Sequence, residues 1–183
     1  MDYRITPANT EHLPGIYALV EKNVQRQALL PRSRESIAAS LQDWVVAVNG
    51  EDVIGCGSLL DYRDGLVEIR SLAIADAHHG NGIGTGIINL LIDNARSKGQ
   101  TTVFALTTAV SLFQKCDFSI VSRNCFPDKV IRFCEVCPKR HACDETAVVF
   151  QLVDAPFHCQ NERCYSAANL TFSVLSRQAG LIR

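Results

Sequence analysis

At 183 residues, with 47% hydrophobic and 20% charged side chains, the chain has the size and composition of one globular domain, which excludes disordered and fibrous architectures. A formal net charge of −1 leaves no electrostatic footprint for nucleic acid or for an anionic membrane surface. No wholly apolar run exceeds five residues, as at Trp44 to Val48, far short of the ~20 needed to cross a bilayer.

The opening MDYRITPANTEH is polar and acidic and lacks the apolar core of a signal peptide, which predicts a cytoplasmic protein. In that reducing setting the eight cysteines read as thiols or metal ligands rather than as a disulfide framework. Asp2 to Thr6 is a short strand stopped by Pro7. From Glu11 onward Leu13, Ile16, Tyr17, Val20 and Val24 recur at helical spacing, with Pro14 tolerated in the first turn. Leu29-Leu30-Pro31-Arg32-Ser33 breaks the pattern, and Ser33 is placed to cap a second helix carrying Ile37 and Leu41 on one side.

Trp44 to Asn49 and Val53 to Tyr62, joined by a tight turn, read as a hairpin; a turn at Arg63-Asp64-Gly65 leads to a third strand, Leu66 to Ile74. A glycine-rich loop, Gly80 to Gly86, then opens a helix with Ile83, Ile87, Leu90, Leu91 and Ala95 on one stripe and Gly99 at its end. Thr102 to Thr107 is a strand, Val110 to Lys115 a short helix, and Phe118 to Val121 and Ala147 to Leu152 are strands. Between the last two strands an insertion, Ser122 to Glu145, holds four of the eight cysteines. The order predicts one α+β domain over residues 1–153, an α/β/α sandwich on a mixed, mostly antiparallel sheet, followed by a tail, 154–183, of unassigned structure.

The informative segment is GLVEIRSLAIADAHHGNGIGTGIINLLI, from Gly65 to Ile92. A strand enters a loop of alternating glycines that passes directly into an amphipathic helix. Glycines remove the Cβ atoms that would obstruct close approach, and the first helical amides have no intrahelical partner, so a phosphate or diphosphate is the natural guest. The spacing is not that of the dinucleotide fingerprint, and the Lys-Ser/Thr pair of the P-loop is absent. A glycine-rich turn before an ordinary core helix is the alternative.

The loop resembles the Q/R-x-x-G-x-G/A loop of the GCN5-related N-acetyltransferases, which binds the diphosphate of coenzyme A. LLPRSRESI (29–37), VIGCGSLLDY (53–62), EIRSLAI (68–74), VFALTTA (103–109), LFQKCDF (112–118) and CDETAVVF (143–150) extend that resemblance, in order, to the acetyltransferase domain of short-form N-acetylglutamate synthase over roughly residues 3–152. The resemblance implies the acyl-CoA N-acyltransferase fold and acetyl transfer from acetyl-CoA to the α-amine of an amino acid, glutamate above all, as in arginine biosynthesis. Main-chain groups of Ser71, Leu72, Ala73 and Ile74 are then expected along the pantetheine arm, and His79, Gly80, Asn81, Gly82, Ile83, Gly84 and Thr85 at the diphosphate. His79 stands where the family has Gln or Arg. Phe113 stands where many members have a tyrosine acid, which excludes that route for protonating the departing thiolate.

Glu68 aligns with the family's glutamate base; the alternative is a strand carboxylate paired with Arg70, two residues on and on the same face. Arg32 matches the arginine that grips the substrate's side-chain carboxylate, with Arg70 a second candidate, since a guanidinium binds carboxylate bidentately. Two further family positions are not matched: Leu60 replaces a basic residue or His, and Ala109 an arginine. The expected partner is a small amino acid, with no nucleic acid and no membrane, and assembly as a homodimer stays open. Another amino acid, a peptide N-terminus or a polyamine stays open as acceptor, as does a non-catalytic acetyl-CoA- or metal-binding module. In the insertion, Cys134, Cys137 and Cys143 have metal-ligand spacing for a structural zinc, completed by His141, Cys125, Cys159 or Cys164; reduced buried thiols or a redox pair are the alternatives.

Overall fold

The computed structural model describes residues 2–135, 137–154, 157 and 159. Seven strands form one sheet: β1 (Arg4–Pro7), β2 (Trp44–Asn49), β3 (Asp52–Asp61), β4 (Leu66–Ile74), β5 (Thr102–Thr107), β6 (Ser119–Val121) and β7 (Thr146–Gln151). Their spatial order is β1-β2-β3-β4-β5-β7-β6, with β4 and β5 parallel and every other pair antiparallel. The expected strands and helices are all present, so the α+β sandwich stands as read.

Helix α3 (Ile83–Ser97) covers one face. Its stripe of Ile83, Ile87, Ile88, Leu91, Ile92 and Ala95 is buried against Val45, Ile69, Val103 and Val148 of the sheet. Each fully buried aliphatic side chain there contributes about 1.5–3 kcal/mol relative to exposure. The opposite face carries two smaller cores. Helices α1 (Leu13–Gln25) and α2 (Arg34–Ala39) cover β2, β3 and the end of β4, with Ile16, Val20 and Ile37 against Trp44, Val46, Cys56 and Ala73. Ser33 caps α2 as expected, its hydroxyl accepting the Ser36 amide at 3.1 Å, but the helix ends at Ala39 and Leu41 falls in a separate 3-10 turn.

Over β4, β5 and β7 on that same face lies the insertion, where Phe126 stacks on Phe104 at 4.0 Å between ring centroids. After helix α4 (Val110–Gln114) and β6, the insertion contains a short helix α5 (Pro127–Lys129) continuing into a π-helical turn, Val130–Cys134.

Two features of β4 create the site. It pairs with β5 only through Leu66–Thr102, Val67–Val103 and Glu68–Phe104, after which the two parallel strands part. Its register with β3 moves from Ser58 opposite Arg70 to Cys56 opposite Ala73, so Ser71 and Leu72 together face Gly57 in a bulge, with Ser71 at φ +54°. A Cβ at Gly57 would meet Ile87 at 3.0 Å and Leu91 at 3.1 Å, so glycine there lets α3 lie close under the bulge. Among the described residues no helix is long and apolar enough to cross a membrane. Most of the carboxyl-terminal tail, residues 160–183 with Cys164, lies outside the described residues.

Candidate active site

The glycine loop is held in shape before any ligand arrives. Gly80 and Gly82 both sit at φ +79°, where a side chain would be strained. The His79 ring nitrogen Nε2 lies 3.0 Å from the Ile74 carbonyl, Asn81 donates to the His78 and His79 carbonyls, and the Tyr3 hydroxyl donates to the Asn81 carbonyl at 3.0 Å. His79 therefore ties the loop to the end of β4. The N-cap of α3 is Gly82, which has no side chain to occupy the first amides, so the α3 amino end presents bare N–H groups and a positive dipole end. Gly84 answers a different demand: a Cβ there would meet Leu112 of α4 at 3.0 Å.

From this loop the bulged strand leads to a cavity of about 310 Å³ between the parted strands, the segment before α2 and the insertion. A larger cavity of about 470 Å³ lies beside Cys125 and Phe157, away from the parted strands and the expected acetyl-CoA loop. Arg32, Glu68, Arg70, Ser71 and Leu72 all line the smaller cavity, so the fold brings together the residues expected for acceptor and thioester. Ala73 and Ile74 continue the same strand toward the loop.

Glu68 is 2% exposed, and its two oxygens are both engaged. The Tyr62 hydroxyl donates to Oε2 at 2.9 Å, and the Lys129 ammonium lies 2.6 Å from Oε1. The pairing with Arg70, the alternative reading of Glu68, is not the contact found: the cation touching the carboxylate comes from the insertion. Burial, then the Glu68 charge, push the Tyr62 phenol well above its ordinary range. Burial also lowers both arginines, with Arg32 brought down to about 10 by burial and then by neighbouring Arg70. Arg32 Nη2 donates to the Ser36 hydroxyl at 3.1 Å, and its guanidinium carbon lies 5.8 Å from the Trp44 ring centroid. Arg32 Nη1 and Arg70 Nε are buried without a hydrogen-bond partner among the described residues.

Residue-by-residue reading missed Tyr62, Lys129, Phe133 and Glu145. Tyr62 had a usable signal: Leu60 stands opposite Glu68, and strand alternation puts Tyr62 on the same face. The other three belong to an insertion without periodicity. Lys129, Phe133 and Glu145 all line the smaller cavity, and burial raises the Glu145 carboxyl. Phe113 is buried edge-on to Phe118, also against the cavity.

The cysteines depart from expectation. Cys125 and Cys159 form a disulfide, because the chain beyond β7 returns past the insertion and brings their Cα atoms to 4.8 Å. Cys134, Cys137 and Cys143 do line one cavity, of about 60 Å³, but Arg123, Lys129 and Arg140 line it too. Among the described residues no three His, Cys, Asp or Glu side chains are arranged to hold a metal. Three cations disfavour a dication, burial raises the Cys134 thiol above its ordinary range, and a metal needs the thiolate. His141 is turned to Arg140, whose Nε lies 2.7 Å from its Nε2. The described residues thus give the zinc expectation no support, and Cys164, named above as one way to complete such a site, lies outside them.

Residues 14–118 match the model of the Acetyltransferase (GNAT) family. The chain belongs to that family. An uncharacterized N-acetyltransferase of Chlorobaculum tepidum is 38% identical over 125 residues, 66% of this chain and 78% of that protein. The amino-acid acetyltransferase of Mycobacterium tuberculosis is 31% identical over 115 residues, 61% of this chain and 66% of that protein. Against the amino-acid acetyltransferase of Shewanella oneidensis the identity is 27%, and this chain spans only 29% of that longer protein.

Among solved structures, a Mycobacterium tuberculosis protein in complex with CoA superposes with a TM-score of 0.70 at 25% identity, covering 82% of this chain and 99% of that one. N-acetylglutamate synthase from Neisseria gonorrhoeae, complexed with coenzyme A and N-acetyl-glutamate, shares the fold with a TM-score of 0.69 at 22% identity, over 84% of this chain and 36% of that one.

Proposed function

We propose that this GNAT acetyltransferase moves the acetyl group of acetyl-CoA to the α-amine of an amino acid with a second carboxylate, L-glutamate foremost, and so serves the first step of arginine biosynthesis. One observation carries the reading. Arg32 and Arg70 line the cavity that holds Glu68, and each buries an N–H group that has no partner among the described residues. Leaving a buried charged donor unpaired is costly, and a carboxylate relieves the cost with a charge-assisted hydrogen bond. Two such arginines suit the two carboxylates of glutamate or aspartate. A polyamine, cationic throughout, meets repulsion from both.

The diphosphate of acetyl-CoA lies on the amides of the Gly80–Thr85 loop and the pantetheine arm along Ser71–Ile74, where β4 leaves β5. Glu68 takes a proton from the acceptor ammonium, directly or through one water; Tyr62 and Lys129 each occupy one oxygen, and further lone-pair sites remain on both. The neutral amine attacks the thioester carbonyl, which main-chain amides of the bulge polarise. The N–C bond forms and the C–S bond breaks; the second proton shed by the attacking nitrogen passes, directly or through water, to the departing thiolate, which has no tyrosine at the Phe113 position to protonate it.

Thiol release from acetyl-CoA, measured across the common amino acids, a polyamine and a short peptide, tests the assignment. Glutamate is expected to give the highest kcat/KM, with N-acetylglutamate identified by mass spectrometry. Turnover of the polyamine or the peptide with none for any amino acid overturns it.

A further inference from the structure

In the sequence, Ser122 to Glu145 looks like an appendage, yet it places an ammonium inside the acceptor pocket. Lys129 ends α5, at the start of the π-helical turn, and with Glu68 it forms an ion pair whose side chains retain only 11% and 3% exposure. Around Glu68 the sheet is apolar: Leu60 stands opposite on β3 and Phe104 opposite on β5. Solvent therefore has little access to this carboxylate, and its polar partners are the groups that touch it. Those are the neutral hydroxyl of Tyr62 and the ammonium of Lys129. Lys129 is itself held, 4.8 Å from the Phe133 ring centroid, and the same ring faces Arg70 at 5.9 Å and Arg132 at 5.5 Å.

The geometry points to Lys129 as a positioning residue for acetyl transfer: its ammonium is the buried counter-ion that fixes the Glu68 carboxylate, leaving lone pairs free toward the acceptor amine. This rests on the reading of Glu68 as proton acceptor given above. The ionisable groups facing Glu68 are Tyr62 beyond β3, Arg70 on β4, Arg32 from the segment before α2, Lys129 from the insertion and Glu145 ahead of β7. Arg132 adds a second cation from the insertion, acting on Tyr62 and Arg70. Arg32 and Arg70 are the cations with N–H groups left for a substrate carboxylate. Lys129 is the one committed to Glu68.

The test is the pH dependence of kcat/KM in K129M and K129R beside E68Q, with CoA affinity followed by calorimetry. Removing the ammonium disfavours the ionised carboxylate, so the acid limb of the K129M profile is expected to move up by about one pH unit or more. CoA affinity stays unchanged, and K129R keeps the limb near its original place. K129Q, which retains a donor but no charge, reads the same displacement should K129M not fold. A K129M profile that is merely a scaled-down copy of the parent's, its acid limb in place, overturns the assignment. The underlying reading fails separately: E68Q with full turnover and an intact acid limb removes Glu68 as proton acceptor, whereas loss of the limb in E68Q with an unmoved limb in K129M removes only the role of Lys129.

Discussion

Replacing Arg32 by alanine deletes one wall of the acceptor pocket while leaving the acetyl-CoA loop untouched. Its guanidinium has one hydrogen bond, to the Ser36 hydroxyl, and a buried Nη1 free of any partner among the described residues. On the proposed function that group and a substrate carboxylate form a charged hydrogen bond, for which about 1.5–3 kcal/mol is the usual net value. At 1.36 kcal/mol per factor of ten this is a loss of roughly 10- to 150-fold in kcat/KM for a dicarboxylate acceptor. The fall belongs mainly in the KM for the amino acid, because the contact holds ground state and transition state alike. Arg32→Lys keeps the charge without the planar fork and is expected to recover part of the loss. Burial already disfavours the charged guanidinium, so R32A has no large stabilising contact to lose and should melt within about 2 °C of the parent. The assay is acetyl-CoA-dependent thiol release with glutamate, aspartate and glutamine. If R32A leaves kcat/KM for glutamate within twofold, or depresses all acceptors and the acetyl-CoA KM equally, the carboxylate argument is wrong.

Gly82→Ala places a Cβ on the N-cap residue of α3, at φ +79° and 3.7 Å from the Tyr3 hydroxyl, at a conformational cost of about 1–2 kcal/mol; titration calorimetry should show CoA affinity reduced about tenfold or more. Burial pushes the Cys56 thiol up to about 12, so in the native protein at pH 8 iodoacetamide should leave Cys56 unmodified while labelling Cys137 and Cys143, as peptide mass spectrometry will report. Because that shift is upward, its stabilisation is complete below the ordinary thiol range and is lost as pH rises toward 12, so the urea midpoint should fall on the alkaline side. Cys125 and Cys159 close a loop across a sequence separation of 34, and their reduction or the C125S substitution should lower unfolding free energy by about 2–4 kcal/mol in urea titrations. An unchanged midpoint would mean that the bridge does not constrain the unfolded chain.

What the sequence made legible, and what it hid, follows from how far each feature reaches along the chain. The loop and helix α3 could be read because glycine spacing and a 3.6-residue apolar stripe are local patterns, and Gly80, Gly82 and the α3 stripe lie where those patterns put them. The Arg32 and Arg70 wall needed the resemblance, since neither arginine stands in a local motif. Glu68 was visible but its partner was not. Arg70 is two residues away on the same strand face, whereas Lys129 arrives from 61 positions later, on a turn whose place is set by Phe126 stacking against Phe104. No periodicity in the insertion announces that stack. The cysteines mislead for a related reason: C-x2-C spacing suggests a ligand pair, but the charges that decide whether a dication is welcome, Arg123, Lys129 and Arg140, are gathered only by the fold. Local pattern thus marks the loop proposed to hold acetyl-CoA. Which acceptor is chosen, and in what charge state Glu68 meets it, depends on long-range packing of a segment that sequence pattern leaves blank, so the Lys129 and Arg32 variants probe the part of this site that only the structure could supply.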